Sequence, residues 1–488
     1  MKKFFLFLFA STCILTSCSD SDDGVEPNPN PNPEPEADVT VQDFMWKAMN
    51  LWYFWQQDVP DLGDTRFASD EAYTDFLKTE SDPSKFFENK LLHGQDRFSW
   101  SEEDYKALVQ RFSGVSKSNG VEFGLSRFSG SDDIFGYVRY IVPNSDADGK
   151  DIRRGDLFTG VDGTTLNINN YQELLFGDND TYTLNMATLS NNTISASGKG
   201  VQLTKTQLSE NPVFLDRIYE IGAKKIGYLI YNSFTNEYDN DLNAAFGRFK
   251  AGGVTDLILD FRYNPGGSVN SSRLLSSMVY GTHTDKVYIR ARYNDKYMDY
   301  LTRQGEDLND YFADKVNGNE LNTLNLNEVY VLTTSGTASA SELVMNGLDP
   351  YVKIIQIGTT TRGKNEFSVT MVDDQENSFI YNPSRESKIN PNNKWAIQPL
   401  IGRNENSAGF SDYTSGLNPD IELSEDIANL GTLGDQTEPL LARAIQEITQ
   451  SGKRDFTVKV PVDEITNSKM FSPLKDNMYV DKLPALIK

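Results

Sequence analysis

Positive charge is what this sequence has too little of. Against 70 aspartates and glutamates stand 46 lysines and arginines, a net charge of −24 over 488 residues. So acidic a chain repels a phosphate backbone, and nucleic acid is excluded as an expected partner. Histidine occurs twice, as His93 and His283, and cysteine twice, as Cys13 and Cys18. That is too few for a multi-histidine zinc centre or a disulfide framework, so no metal and no cofactor is implied. A serine–histidine triad stays open, but only two residues could supply its base. Beyond the N-terminal segment no apolar run reaches membrane-spanning length. Hydrophobic residues nevertheless make up 38% of the chain and aromatics 11%. That suffices for real cores, and the length suggests about two to four domains.

The N-terminus reads as an address. Lys2 and Lys3 precede a mostly apolar run over residues 4–15, too short to span a bilayer comfortably. It ends in Leu15-Thr16-Ser17-Cys18, which resembles the bacterial lipobox. In signals of that type the cysteine is lipidated and becomes the first residue, so Cys18 is the expected lipidation site and residues 1–17 the signal peptide. Cys13 would leave with the signal. Residues 18–37 are acidic and then alternate proline with polar residues, an extended, semi-rigid tether. Ser19-Asp20-Ser21-Asp22-Asp23 also resembles surface-export signals of some Gram-negative lipoproteins. The expected location is the bacterial cell envelope, lipid-anchored to the outer membrane on its periplasmic face or at the cell surface.

Three regions follow. Over residues 38–113 the apolar positions 41, 44, 45, 48, 49, 52 and 55 have helical spacing, and Trp46, Trp52, Tyr53 and Trp55 are read as the core of a small helical domain. Over 114–210 the pattern changes to short strands and turns. Gly120-Val121-Glu122-Phe123, a strand over 137–142, Arg153-Arg154-Gly155-Asp156 and Val161-Asp162-Gly163 follow in an order that resembles a PDZ domain. In that family a loop like Gly120, Val121, Glu122 and Phe123 offers backbone N–H groups to a peptide C-terminus, and the peptide adds a strand to a sheet edge. The short helix before Arg154 is poorly marked, and Asp148-Gly149 stands where an Ala-Gly pair is usual. Residues 211–450 alternate strands (226–230, 255–261, 328–334, 353–357) with helices (239–250, 271–280, 338–348), an α/β layer domain closed by a helix over 439–448. The tail, 451–488, has weak periodicity and no assignable place.

Three segments of the α/β region follow predicted strands, where such folds put reactive groups. Asn264-Pro265-Gly266-Gly267 is a tight turn whose glycines leave N–H groups unshielded for an anion or oxyanion. Ser339-Ala340-Ser341-Glu342 opens a helix, where free N–H groups stabilise developing negative charge. Ser339 and Glu342, three apart, share a face, while Ser341 points elsewhere; the same four residues also fit a plain capping box. The third segment, Gly358 to Asn365, matches the glycine–lysine part of a phosphate-binding loop. It has Asn365 where the magnesium-binding hydroxyl belongs, and a strand-like pattern where the helix belongs. No nucleotide is expected.

Together, a glycine turn, a Ser-Ala-Ser-Glu helix start and Lys364, each after a strand, resemble the C-terminal processing peptidases, or tail-specific proteases. The resemblance runs from residue 114 to about 446 and takes in Gly416-Leu417-Asn418-Pro419-Asp420. Asp96-Arg97-Phe98-Ser99 is similar to a segment of exported Bacteroidetes-type members. The resemblance implies a multidomain α/β protein: an α/β serine protease core with a PDZ-like β domain and an N-terminal helical domain. It implies Ser339 as nucleophile and Lys364 as general base, neither histidine being needed. Gly267, with Gly266 second, and Ala340 would supply the oxyanion-hole N–H groups. A lysine with an ordinary pKa of about 10.4 is no base at neutral pH, so Lys364 must be buried; Arg362 cannot substitute. Many members carry a glutamine four residues after the lysine to orient it. Here Ser368 stands there, and Glu342 is the alternative third group. The expected activity is that of an exported serine endopeptidase acting on protein or peptide substrates recognised by their free C-termini. The alternative is a catalytically silent binding module for exposed C-termini or apolar ligands.

Overall fold

Residues 226–231, 256–260, 328–333 and 353–358 are apolar at successive rather than alternate positions. Strands of that kind must be covered on both faces. The computed structural model, which describes residues 38–450, 456–472, 475–480, 483–484 and 486, places them in one six-stranded sheet. Its order is Val213–Ile221, Lys224–Tyr231, Asp256–Asp260, Glu328–Thr333, Lys353–Gly358, Ile421–Glu422. The first pair is antiparallel and every later pair parallel. Leu257 and Leu259 pack with Phe246, Phe249 and Leu275, from the helices Asp239–Gly252 and Val269–Tyr280. Ile258 joins the opposite cluster with Leu440, Leu441 and Ile445 of the helix Pro439–Thr449. The expected export signal, Cys18 and the expected tether lie outside the described residues.

A second six-stranded sheet runs Gly267–Ser268, Met478–Tyr479, Glu366–Ser368, Leu400–Asn406, Val287–Tyr293, Asn309–Tyr311. The middle β region is built on Val121–Arg127, Ile134–Ile141, Leu157–Val161, Thr181–Ser190 and Thr193–Thr204, with its own core of Val121, Phe123, Leu125, Phe158 and Leu184 among others. The short helix Tyr171–Phe176 lies against that core. Turns and bends occupy 143–151, where a helix was poorly marked.

Two departures from the sequence reading concern partners rather than elements. The helix Thr40–Trp52 buries Phe44, Met45, Ala48, Met49 and Trp52 as the spacing requires. These side chains belong to the same hydrophobic cluster as Leu257, Leu275 and Leu343 of the α/β region, so the N-terminal helices have no separate core. The Trp52 indole N–H donates to the Ser378 carbonyl at 2.8 Å. Periodicity says which face is buried, not against what. The tail, in turn, contributes two strands. Glu464–Asn467 adds antiparallel to the outer edge of Val121–Arg127, and Met478–Tyr479 lies between Gly267–Ser268 and Glu366–Ser368.

Candidate active site

Asp256–Asp260, Glu328–Thr333 and Lys353–Gly358 are adjacent parallel strands. The three segments singled out in the sequence leave their C-terminal ends and therefore lie side by side. Asn264 joins the first two. Its side-chain amide donates to the Tyr231 carbonyl (2.8 Å) and its Oδ1 accepts the Gly266 N–H (2.9 Å). Its carbonyl accepts the Ala338 N–H (3.1 Å) and the Ser341 hydroxyl (3.2 Å). Ser341 is thereby committed. Ser339 differs: it is fully buried, and its Oγ has no hydrogen-bond partner among the described residues. Its backbone sits at φ 64°, ψ −114°, a conformation that costs a non-glycine residue about 1–3 kcal/mol and persists only where neighbours impose it. Of the serines in this segment, Ser339 is the one held strained at a helix start with a free hydroxyl.

Glu342 imposes the turn. Buried under the helix Ala340–Leu348, its carboxylate accepts the N–H of Ser339 (2.7 Å), of Gly363 (2.7 Å) and of Lys364 (2.9 Å), and the Thr361 hydroxyl (2.5 Å). It reaches back to Ser339 as a capping-box glutamate does, and also ties the serine turn to the lysine loop. Burial pushes its carboxyl up to about 7, against the lowering effect of these donors.

Lys364 is 1% exposed. Burial pushes its ammonium down to about 8, opposed by nearby carboxylates of which Asp476 weighs most. The Phe98 ring centroid lies 4.9 Å from Nζ, and Arg97 donates to the carbonyls of Gly363 (2.5 Å) and Thr414 (3.2 Å). Asp96 caps this corner, accepting the N–H groups of Phe98 and Ser99, both at 2.9 Å. The sequence marked Asp96-Arg97-Phe98-Ser99 only by resemblance; aromatic-basic neighbours recur through this region, as in Arg66-Phe67 and Tyr105-Lys106, and do not single it out. After Gly358 the chain enters the strand Glu366–Ser368 rather than a helix, as the rejection of a nucleotide loop requires. His93 stacks on Trp55 and His283 packs on Tyr280.

Gly266 and Gly267 have φ of 113° and 136°, open only to glycine. The Gly266 N–H is engaged by Asn264. Gly267 is the remaining glycine donor, beside Ala340, the first residue of its helix, whose N–H has no intrahelical acceptor. Ser368 Oγ donates to the Asn477 side chain (2.9 Å) and the Met478 carbonyl (3.2 Å), so it holds the tail.

Val121, Glu122 and Phe123, which follow Gly120, line a cavity of about 380 Å³ together with Phe176, Phe471 and Pro265 of the glycine turn. Three of these four residues have their N–H groups engaged by side chains. Ser118 Oγ accepts from Gly120 (3.0 Å), Asn119 Oδ1 from Val121 (3.0 Å) and Ser468 Oγ from Phe123 (3.0 Å).

A model described as Peptidase family S41 matches residues 225–422, and one described as Peptidase S41 N-terminal domain matches residues 40–100. A chloroplastic C-terminal processing peptidase of Tetradesmus obliquus is 24% identical over 340 residues, 66% of this chain and 63% of that protein. A carboxyl-terminal-processing protease of Picosynechococcus is 24% identical over 164 residues, 34% of this chain and 35% of that protein. The chain thus matches less than two thirds of the length of these curated relatives. The crystal structure of a candidate S41 protease from Bacteroides fragilis aligns with a TM-score of 0.64 at 26% identity, covering 86% of this chain and 100% of that one.

Proposed function

From its membership of peptidase family S41, to which the chain belongs, we propose that it is a serine endopeptidase with a Ser339–Lys364 dyad, acting on protein substrates near their C-termini. One observation carries the reading: a buried lysine pushed down to about 8 on a loop tied through Glu342 to the turn that strains an unpartnered Ser339 hydroxyl. Ser339 Oγ attacks the scissile carbonyl and passes its proton to Lys364 Nζ. The tetrahedral oxyanion takes N–H groups of Gly267 and Ala340. Collapse breaks the C–N bond, and the departing amine takes the proton from Lys364. Water then attacks the acyl-enzyme ester and gives a proton to Lys364. The acid leaves, and the proton returns to Ser339.

The middle β region acts in this reading as a PDZ-like module that takes an extended peptide along Val121–Arg127, with Gly120 to Phe123 at its end. The lipobox-like Leu15-Thr16-Ser17-Cys18 supports a lipoprotein exported to the outer membrane and anchored through Cys18.

The test compares the chain lacking its first 37 residues with its Ser339→Ala variant on an unfolded protein ending in an apolar free C-terminus. Cleavage by the first alone is expected; equal cleavage by both would remove Ser339 from the chemistry. One observation favours the second reading, a silent binding module: Ser339 and Lys364 are both sealed from solvent. No cleavage together with tight binding of the C-terminus would select it.

A further inference from the structure

A polypeptide cannot reach Ser339 as the chain stands, because the serine is 0% and the lysine 1% exposed. Part of what covers them is the tail. A Cβ built on Gly266 would sit 2.9 Å from Ser339 Oγ and 2.7 Å from the Asn477 carbonyl oxygen. The nucleophile and the tail backbone thus flank the same point of the glycine turn. Met478 and Tyr479 pair in parallel with Gly267 and Ser268, and Tyr479 with Ser368. The tail is therefore strand-paired to the glycine that carries the candidate oxyanion donor, on one side, and to the strand that follows the lysine, on the other. The Met478 side chain is fully buried.

Upstream, the same tail lies on the middle β region in the manner of an added peptide strand. Glu464–Asn467 runs antiparallel to Val121–Arg127, with Thr466 opposite Leu125 and Asn467 opposite Gly124. It advances toward Gly120. Ser468 Oγ takes the Phe123 N–H and donates to Glu122 at 2.5 Å. The Phe471 ring stacks on Phe176 of the helix Tyr171–Phe176 at 3.8 Å between centroids. Described residues of the tail thus lie, in chain order, along a strand edge, on an aromatic ring and beside the nucleophile.

We propose that residues 464–472 and 475–480 occupy the substrate path as an intramolecular ligand, and that the path takes an extended polypeptide with an aromatic side chain seated on Phe176 and an apolar one beside Gly267. The proposal rests on the peptidase reading for the word substrate. Two details bear on it. Where relatives' resemblance calls for a glutamine, Ser368 binds the tail's Asn477. And the tail brings Asp476, which accepts from Arg362 Nε at 3.1 Å and is the strongest of the charges favouring the ammonium form of Lys364. The docked tail opposes catalysis both by filling the path and by keeping the base protonated.

The experiment uses the full chain and two variants remote from Ser339. Phe471→Asp unseats the aromatic ring, and Thr466→Pro breaks the pairing with Val121–Arg127. They strike separate parts of the tail, so failure of one to fold leaves the other. Hydrogen exchange of Glu464–Asn467 reports release. Cleavage of an unfolded protein and anisotropy of a labelled peptide with the sequence of residues 464–480 are then measured. Released variants are expected to bind the peptide, which the native chain excludes. They should cleave at least about tenfold faster, since apparent activity scales with the open fraction. A released tail with cleavage no faster than native and no peptide binding overturns the proposal. Peptide binding by the released variants with no cleavage by any form leaves the path standing and removes the peptidase reading instead.

Discussion

A carboxylate oxygen of Glu342 accepts the backbone N–H of Lys364 at 2.9 Å, so the residue weighed as a partner for the lysine side chain holds its main chain instead. The same carboxylate holds Ser339, Thr361 and Gly363. Gln in its place keeps the shape but turns an amide NH2 toward groups that are themselves donors. An unsatisfied buried polar group costs about 1–3 kcal/mol. Glu342→Gln should therefore lower the stability by roughly that amount, read by denaturant titration, and lower kcat by about 100-fold through loss of position. Ser339→Ala should change stability little. The carboxyl is raised from 4.5 to about 7, so its proton-linked stabilisation is full below 4.5 and lost as pH rises through 7. The stability gap between native and Glu342→Gln should narrow over that window.

The pH dependence of cleavage has a definite sign. In the proposed dyad Lys364 must be neutral to accept the serine proton, and burial brings it from 10.5 down to about 8. Below that value kcat/KM should rise about tenfold per pH unit and then level off. Asp476 favours the charged form, so Asp476→Asn should move the inflection to lower pH. A profile still climbing toward 10.5 would deny Lys364 its role.

How far the sequence could be read is clearest at four places in the chain. Leu257, Ile258 and Leu259 announce a strand buried on both faces, because a run of successive apolar residues has few other uses. Ser339 was separable from Ser341 by helical spacing to Glu342, and the carbonyl of Asn264 accounts for Ser341 in the fold. Glu464–Asn467 was illegible: it is four residues long, leaves Ile465 44% exposed, and gains its place from a strand edge far away in the chain. Phe98 was illegible for the same reason, since its contact with Lys364 joins distant segments that no local period connects.

Phe98 offers a further test. Its ring both excludes water from Lys364 and faces the ammonium at 4.9 Å. The two effects oppose each other. A cation–π contact at a desolvated site is worth about 2 kcal/mol, roughly one and a half pKa units, whereas burial has carried the lysine further, from 10.5 to about 8. Desolvation wins. Phe98→Ala should admit water, move the pH inflection upward and reduce cleavage at pH 7, with activity recovering toward pH 9. Phe98→Leu should restore much of the native profile, a rescue that loss of mere packing volume far from the base would not predict.

The glycine turn separates two donors that look equivalent in the sequence. The Gly266 N–H is directed at Asn264 Oδ1 at 2.9 Å, which leaves Gly267 as the glycine donor for the proposed oxyanion hole. A Cβ on Gly267 would meet the Phe234 carbonyl oxygen at 2.2 Å with φ at 136°. Ala there cannot be accommodated by a rotamer change; the backbone must move, and the donor with it. Loss of one oxyanion donor costs about 100- to 1000-fold in kcat. Gly267→Ala should show that loss with KM nearly unchanged, because the donor acts on charge that develops only after substrate is bound. Asn264→Asp is the companion. It keeps the acceptor for Gly266 but puts a carboxylate where the amide donated to Tyr231 at 2.8 Å, so it should lower stability. A loss confined to KM in Gly267→Ala would move the oxyanion site elsewhere.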